Sequence, residues 1–479
     1  MDAAALFSQT SFPAVDQTRW RALVEKSLKG ADFDAALVAR TDDGIAIQPH
    51  TPRAEGRAVP RANPSQPWIV TQRVDDPDPA RANRQAREDI DGGATGLSLV
   101  FEGAPNAFGF GLPASPEALK TALEGIPLSR THLRIDVHPA TRASVDWLVT
   151  ILGEKRVDPQ RLSLAFGIDP AAIFAGTGRL RMSIEALQAS MPQSLAHFFA
   201  VGVPGVLLEA DGRTFHNAGA TEAQELGIML ATGVSHLKMF QDARQALIYA
   251  APHIGFAMSV DQDQFLSMAK VRALRTLWAR VQEACSIAPT PSAIHAETSY
   301  RMLTARDPET NILRATIAAF SAGVGGADSI SILPHTLAHG LPDPFARRVA
   351  RNIHAVLAGE SHVDFVADPA AGAGGIEALT EALCESAWAE FQRIQAEGGI
   401  LASLLAGNPQ RRILAACEAR SVSYRTGAKT LIGTTKFPAT KEREVSVLPA
   451  ARKAAPADGV VFCQALPAKR IDESLGSAA

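Results

Sequence analysis

The side chains in this sequence that could do acid–base or ligand chemistry are few and spread out. His216, His253 and His295 stand in TFHNAGAT, PHIGFAMS and IHAETSY. A histidine can donate a hydrogen bond or a proton to a substrate if its ring nitrogen comes within about 3 Å of the reacting oxygen. DGRTFH, which ends on His216, has no metal-ligand spacing. The four cysteines (Cys285, Cys384, Cys417 and Cys463) are widely scattered with no CxxC pair, so neither a zinc site nor a disulfide framework is indicated. The glycines of GAGG (Gly372–Gly375) lack the βαβ setting and the GxGxxG spacing of a nucleotide loop and read as a turn before a helix at Ile376. GVGGADS reads likewise as a loop before a strand. What remains is His253, His295 and a set of serines in or beside strands (Ser98, Ser292, Ser329 and Ser331), which leave room for a ligand.

Composition excludes several classes. With 479 residues, 46% hydrophobic and 20% charged, the chain is globular material with ample length for a large core. A net charge of −3 gives no footprint for nucleic acid or an anionic membrane. No apolar run approaches the roughly 20 residues of a membrane helix. MDAAALFSQTSF has neither a basic n-region nor an apolar h-region, so no signal peptide is expected and the cytoplasm is the natural compartment.

The elements that must position these residues alternate. Eight short apolar runs read as strands: Trp68–Gln72, Leu97–Phe101, Leu133–Val137, Leu162–Phe166, Gly205–Glu209, Ile254–Ser259, Ala293–Glu297 and Ser329–Leu333. Helical periodicity lies between most of them, as over Ala82–Ile90 and Pro116–Leu123. After Ile254–Ser259, residues Leu266, Ala269, Ala273, Leu277 and Val281 form one stripe, widened by Leu274 and Trp278, with Lys270, Arg272, Arg275 and Arg280 as its polar complement. Trp278 and Met268 read as core. This alternation predicts a parallel (β/α)8 barrel, with a doubly wound open sheet as the other arrangement the pattern admits. The barrel should span residues 61–404, after an N-terminal arm (1–60) and before a short C-terminal extension (405–479). In the arm, Trp20–Gly30 reads as a helix with Trp20, Leu23, Val24 and Leu28 on one side. In the extension, GNPQRR reads as a turn, RRILAACEAR as a helix and Leu431–Pro438 as a strand leading to a turn.

These stretches also carry a resemblance. FxxxAKxRAxRxLWA, HxxTSxxxLTxxDPxxNxxRxTxxA, ARRxARN and DPxxGxxxxEALTxxL occur in that order between Phe265 and Leu383. They resemble the barrel domain of the coenzyme-B12-dependent acyl-CoA mutases, the methylmalonyl-CoA mutase family. LKGxDFxxxLxxRTxDGIxIxP at the N-terminus resembles the family's arm, which wraps a partner subunit; an arm packed on its own barrel is the alternative. The resemblance implies a barrel that threads a CoA ester along its axis past small hydrophilic residues. The serines could be that lining, or local loop hydroxyls. It also implies radical chemistry by adenosylcobalamin, whose lower cobalt ligand comes from a DxHxxG motif in a further domain. That motif is absent here, and the last histidine is His362.

Position by position, the resemblance implies altered pocket residues. Where catalytic family members read PWTIRQYAGF, this chain reads PWIVTQRVDD, which puts Arg73 where a tyrosine lies against the corrin. Their catalytic histidine falls on Thr214 without gaps, or on His216 with a two-residue deletion; His216 reads equally as a structural histidine beside the Gly219 turn. THCQTSG becomes IHAETSY, which keeps His295 and puts Glu297 where a glutamine contacts substrate. A carboxylate there would repel a carboxylated acyl group by roughly 1–4 kcal/mol. His253 replaces a substrate-binding arginine, Gly255 a serine, Ala257 a phenylalanine, and Leu337 a glutamate near the adenosyl group. The pattern, with AGATEAQELGIMLA, resembles the family's small, non-catalytic subunit. The expected function is to stabilise a catalytic large subunit, which binds adenosylcobalamin and interconverts methylmalonyl-CoA and succinyl-CoA. Two other readings stay open: a catalytic barrel served by a separate cobalamin-binding subunit, and an acyl-CoA-binding or regulatory barrel.

Overall fold

The computed structural model describes residues 16–475, apart from 57, 442 and 456. The opening residues MDAAALFSQT and the last four lie outside the described residues. Eight parallel strands form one sheet: β1 (Ile69–Val74), β2 (Gly96–Leu99), β3 (His132–Ile135), β4 (Leu164–Phe166), β5 (Leu208–Asp211), β6 (Ile254–Val260), β7 (Ile294–Thr298) and β8 (Ser329–Ser331). Their order is β4-β3-β2-β1-β8-β7-β6-β5. The remaining gap is closed just ahead of β5. There Ala165 bridges in parallel to Val206, Phe166 N donates to Val206 O at 2.9 Å, and Val206 N donates to Leu164 O at 3.2 Å. The ring is therefore a barrel and not an open doubly wound sheet. All eight runs expected as strands contribute one, with ends shifted by a few residues.

Each strand is followed by helix: α1 (Pro79–Asp91), α2 (Pro116–Ala122), α3 (Thr141–Glu154), α4 (Ile184–Val201), α5 (Glu222–Asp242), α6 (Gln264–Ala284), α7 (Thr310–Gly325) and α8 (Pro344–Ala355). Short helices Pro170–Thr177 and Arg213–Ala218 precede α4 and α5. Local sequence starts many of these helices. Asp78, Ser115, Ser183, Thr221, Asp263 and Asp343 each accept a backbone N–H of the first turn, and Thr221 with Gln224 makes a reciprocal capping box. The strands' outward residues, such as Leu97, Leu99, Leu133, Ile135, Phe256, Met258 and Ile330, meet the apolar stripes of the helices in one continuous core that includes Trp278. Met268 is buried in a smaller cluster with Val324 and Ala370. Helices α9 (Gly374–Ala396) and α10 (Asn408–Arg425) follow, with the short helix Ile400–Leu405 between them, and α9 packs along α5 and α6.

Three local expectations need correcting. Residues 431–438 do not form a strand. Leu431–Lys436 closes on itself as a turn, with an isolated bridge from Ile432 to Lys436. The GNPQRR stretch is already helical from Asn408, because Pro409 suits the first helical turn, where an N–H would have no partner. GVGGADS is not all loop: α7 continues to Gly325 and ends on Gly326 in the left-handed region at φ 89°.

In the arm, Asp16 caps the helix Gln17–Leu28, none of whose residues is buried and whose Leu23 is 54% exposed. Its Trp20 stacks on His50 with ring centroids 4.9 Å apart. The arm is anchored at the Asp42–Asp43 turn and again where Ala54 N donates to Gly372 O at 3.2 Å and Val59 N to Asp368 at 2.7 Å. Asp42 accepts from Arg420 Nε at 2.7 Å and pairs with Lys429, and Asp43 accepts from Ala223 N at 3.2 Å. No helix among the described residues is long and apolar enough to cross a membrane.

Barrel closure rests on Gly205. It sits at φ 83°, and a Cβ there would run into the Leu164 carbonyl oxygen. Gly205→Ala is expected to destabilise the chain by about 3 kcal/mol, read from the midpoint of chemical denaturation at unchanged slope. A loss below about 0.5 kcal/mol would show that β4 and β5 can close without this contact.

Candidate functional site

Strand register defines what points into the barrel. Arg73, Ser98, Arg134 and Ala165 are register partners across β1 to β4. Asp211, Ala257, His295, Ser329 and Ile69 are partners across β5, β6, β7, β8 and β1. A third row runs Ser259, Glu297, Ser331, Thr71, Gly96 and His132. Register partners share a face. That face is the interior, since ion pairs join strands that are not neighbours. Arg134 on β3 reaches Glu209 on β5 twice, at 2.5 and 2.7 Å, and Arg73 on β1 reaches Glu297 on β7 at 2.9 Å. Ser98, Ser329 and Ser331 thus line the axis, whereas Ser292 lies before β7 and outside it.

Eight charged side chains bind one another across this axis. Arg73 donates Nε to Asp75 at 3.0 Å and a second nitrogen to Glu297. Arg213, at the start of its short helix, donates to Asp136 at 2.5 Å and Asp211 at 2.6 Å and lies 3.3 Å from Glu297 Oε1. Arg134 and Glu209 complete the network. None of these residues is more than 3% exposed. Burial works to lower the Arg73 pKa, but the carboxylates of Glu297, Asp75 and Asp136 outweigh it and raise the pKa above its ordinary value. At Asp136, burial raises the pKa and the guanidiniums of Arg213 and Arg134 reverse that, so it stays ionised well below the usual carboxylate range.

Above this network the barrel mouth is apolar. Arg73 lies 5.2 Å beneath the Phe108 ring, which stacks on Tyr300 at 4.1 Å and 9°. Phe110, Leu303, Leu333, Leu337 and Leu341 pack around that pair. Leu337 is thus one of the side chains that close the mouth.

The other expected site residues are separate from the Arg73–Glu297 pair. Thr214 is buried beside Arg213, its hydroxyl without a partner. His216 is buried and fixed from both sides, with Nδ1 3.1 Å from Glu225 and Nε2 2.9 Å from Ser299 Oγ. The order Ser–His–Glu is that of a nucleophile, base and orienting acid. Here, however, Glu225 also accepts from Lys270 at 2.7 Å and from Ser259 N at 3.0 Å, and all three members are fully buried. His253 is half-buried at the opposite end of the barrel, bonded to Gly205 O at 2.7 Å and edge-on to Phe199. Gly255 is interior and faces Val206, which fills the space a side chain would need. His295 bonds Ser329 Oγ through Nδ1 at 2.7 Å and leaves Nε2 without a partner, as are the hydroxyls of Ser98 and Ser331. No group of three potential ligands able to hold a metal ion occurs among the described residues.

Sequence reasoning missed Arg134, Asp136, Glu209, Asp211, Arg213 and Tyr300. The first four were visible as charges two apart inside apolar runs, LRID and LEAD. Tyr300 ends the motif IHAETSY, where the family pattern has glycine.

A (β/α)8 barrel with a hydrophilic axis, flanked by an arm and a C-terminal extension, defines the class. Residues 57–474 match the family described as methylmalonyl-CoA mutase, and the chain belongs to that family. It is 34% identical over 487 residues to the methylmalonyl-CoA mutase small subunit of Streptomyces virginiae, which covers 97% of this chain and 76% of that one. It is 38% identical over 318 residues to the probable small subunit of Mycobacterium tuberculosis, covering 64% of this chain and 49% of that one. The large subunit of Streptomyces virginiae is 25% identical over 479 residues, covering 91% and 64%.

Removing one member of a buried ion network strands the others. Glu297→Ala is expected to cost about 4 kcal/mol, and Arg73→Met with Glu297→Met less than the two single losses added. Additive losses in urea denaturation would mean the two residues are not coupled. His216 and His295 are held well below the usual histidine range by burial and then by nearby cations: Arg301 and Lys270 for His216, Arg134 and Arg213 for His295. Burial holds His138 down at about 3 and His236 at about 4. These rings are neutral in the fold, while the unfolded chain takes up protons below about pH 6.5. Stability is therefore expected to fall as pH drops below about 6.5, by up to about 1.4 kcal/mol per unit for each ring. A flat stability profile between pH 6.5 and 5 would contradict this.

Proposed function

We propose that this chain is the supporting, non-catalytic subunit of an adenosylcobalamin-dependent methylmalonyl-CoA mutase. It pairs with a large subunit that holds the cofactor and interconverts methylmalonyl-CoA and succinyl-CoA. The observation that carries this reading is the Arg73–Glu297 ion pair. Both are positions where catalytic family members, by resemblance, carry a tyrosine and a glutamine that face cofactor and substrate. Here the two side chains neutralise each other inside the barrel.

The mouth does not suit a corrin either. A flat macrocycle needs an open, flat seat, and Arg73 presents a cation beneath the stacked Phe108 and Tyr300. On this reading residues 61–404 are a scaffold, and residues 1–60 supply the partner contact. The helix Gln17–Leu28 supports that contact, because it keeps Leu23 exposed while the Asp42–Asp43 turn ties the arm to the barrel. The extension from residue 405 braces the barrel.

The test is co-expression with a mutase large subunit. The two chains are expected to purify as an equimolar complex with mutase turnover, and this chain alone to show no turnover with added adenosylcobalamin. In the complex, His216→Asn is expected to leave kcat within about twofold. A loss of 10²-fold or more in kcat at unchanged KM and unchanged complex stability would make His216 catalytic and overturn the proposal. Turnover that instead required a separate small cobalamin-binding protein would assign the catalytic role to this barrel.

A further inference from the structure

The face of the barrel at which the strands end is crossed by the chain's own last segment. Val447–Leu448 pairs antiparallel with Leu341–Pro342, after β8. Lys453 N then donates to Gly109 O at 2.8 Å, and its ammonium pairs with Glu102, both after β2. Val461–Phe462 pairs with Arg179–Leu180 after β4. Lys469 N donates to Asn217 O at 2.9 Å after β5, and Ile471 N to Arg301 O at 3.0 Å after β7. One segment thus ties together five of the loops that ring the mouth.

At one point this segment reaches the residues that close the mouth. Arg470 donates to the Tyr300 hydroxyl at 3.2 Å, with its guanidinium 5.8 Å from the ring. Arg470 is itself held by Asp472 at 3.0 Å and Glu473 at 2.7 Å. Tyr300 stacks on Phe108, and Phe108 covers Arg73. Phe108 sits at φ 52°, a left-handed conformation that costs a non-glycine residue of order 1 kcal/mol and persists only when its surroundings hold it. The Tyr300 stack, the apolar cluster around it and Arg73 beneath it surround the Phe108 ring.

We propose that residues Lys469–Glu473 latch the barrel mouth shut through Tyr300, with Arg470 as the positioning residue. Arg470 and Tyr300 are themselves buried, so the latch is a packed contact of the mouth, distinct from the ion pairs beneath it. It goes beyond the subunit role proposed above and does not depend on it, since it concerns access to the axis and not turnover.

The test places a reporter below the lid. Ser98 is fully buried, in register with Arg73 and Arg134, and Ser98→Cys adds little volume. In the full-length chain, N-ethylmaleimide labelling at residue 98 is followed by mass spectrometry, which separates it from the native cysteines. Labelling is expected to be slow with the latch intact. Arg470→Ala and, separately, Tyr300→Gly are each expected to speed it at least about tenfold. Hydrogen exchange provides the second readout. It should rise in 106–110 and 300–303 and stay unchanged in α5 and α6. Rapid labelling with the latch intact would overturn the proposal, as would no acceleration in either variant. Acceleration by Tyr300→Gly alone would remove Arg470 from the latch and overturn it as stated. A rise in exchange throughout the chain would mean unfolding and would also count against it.

Discussion

Every charge inside this barrel has to be met by another, and the rest of the site follows from that constraint. A buried ion without a partner costs several kcal/mol, more than most single contacts return. In a closed parallel barrel the interior is ordinarily filled by branched apolar side chains in layers. Here Arg73, Arg134 and Arg213 fill it together with Asp75, Asp136, Glu209, Asp211 and Glu297, each within reach of an opposite charge. The hydrophobic driving force therefore comes from the outward faces of the strands against the helices. The axis contributes specificity of register, because a one-residue slip in β1, β3, β5 or β7 would turn its charges into the apolar layer.

This arrangement sits inside a scaffold of the methylmalonyl-CoA mutase family. The small interior residues that suit a threaded ester are still present: Gly96, Ser98, Ala165, Gly255, Ala257, Ser329 and Ser331. Yet Arg73 and Glu297 meet across them, Val206 fills the space beside Gly255, and Phe108 with Tyr300 covers the mouth. Arginine at position 73 alone would bury a cation, and glutamate at 297 alone would bury an anion. Together they form a pair, so neither charge is buried alone.

The framework was legible in the sequence because it is local. Eight apolar runs and the helical periodicity between them are read within ten residues of each position, and all eight became strands. The failures have the same physical origin. Leu431–Pro438 had strand composition, but Thr434, Thr435 and Lys436 bond back to Leu431 O and it closed into a turn. GNPQRR was read as a turn, although a helix tolerates Pro409 in its first turn. The charge network was missed because its partners are 75 residues apart for Arg134 and Glu209, and 224 apart for Arg73 and Glu297. Only the closed barrel brings them together. Arg73 and Glu297 were each visible as departures from a family pattern, but their pairing was not.

If the proposed supporting role holds, the ion pairs that cross the barrel axis leave no room there for a CoA ester. Titration calorimetry of methylmalonyl-CoA into the full-length chain tests it directly. The account predicts no saturable heat up to millimolar ligand, a binding free energy weaker than about −4 kcal/mol. Saturable one-to-one binding in the micromolar range, abolished by a bulky replacement at Ser98 or Ser331, would place the ester in the axis and contradict the account.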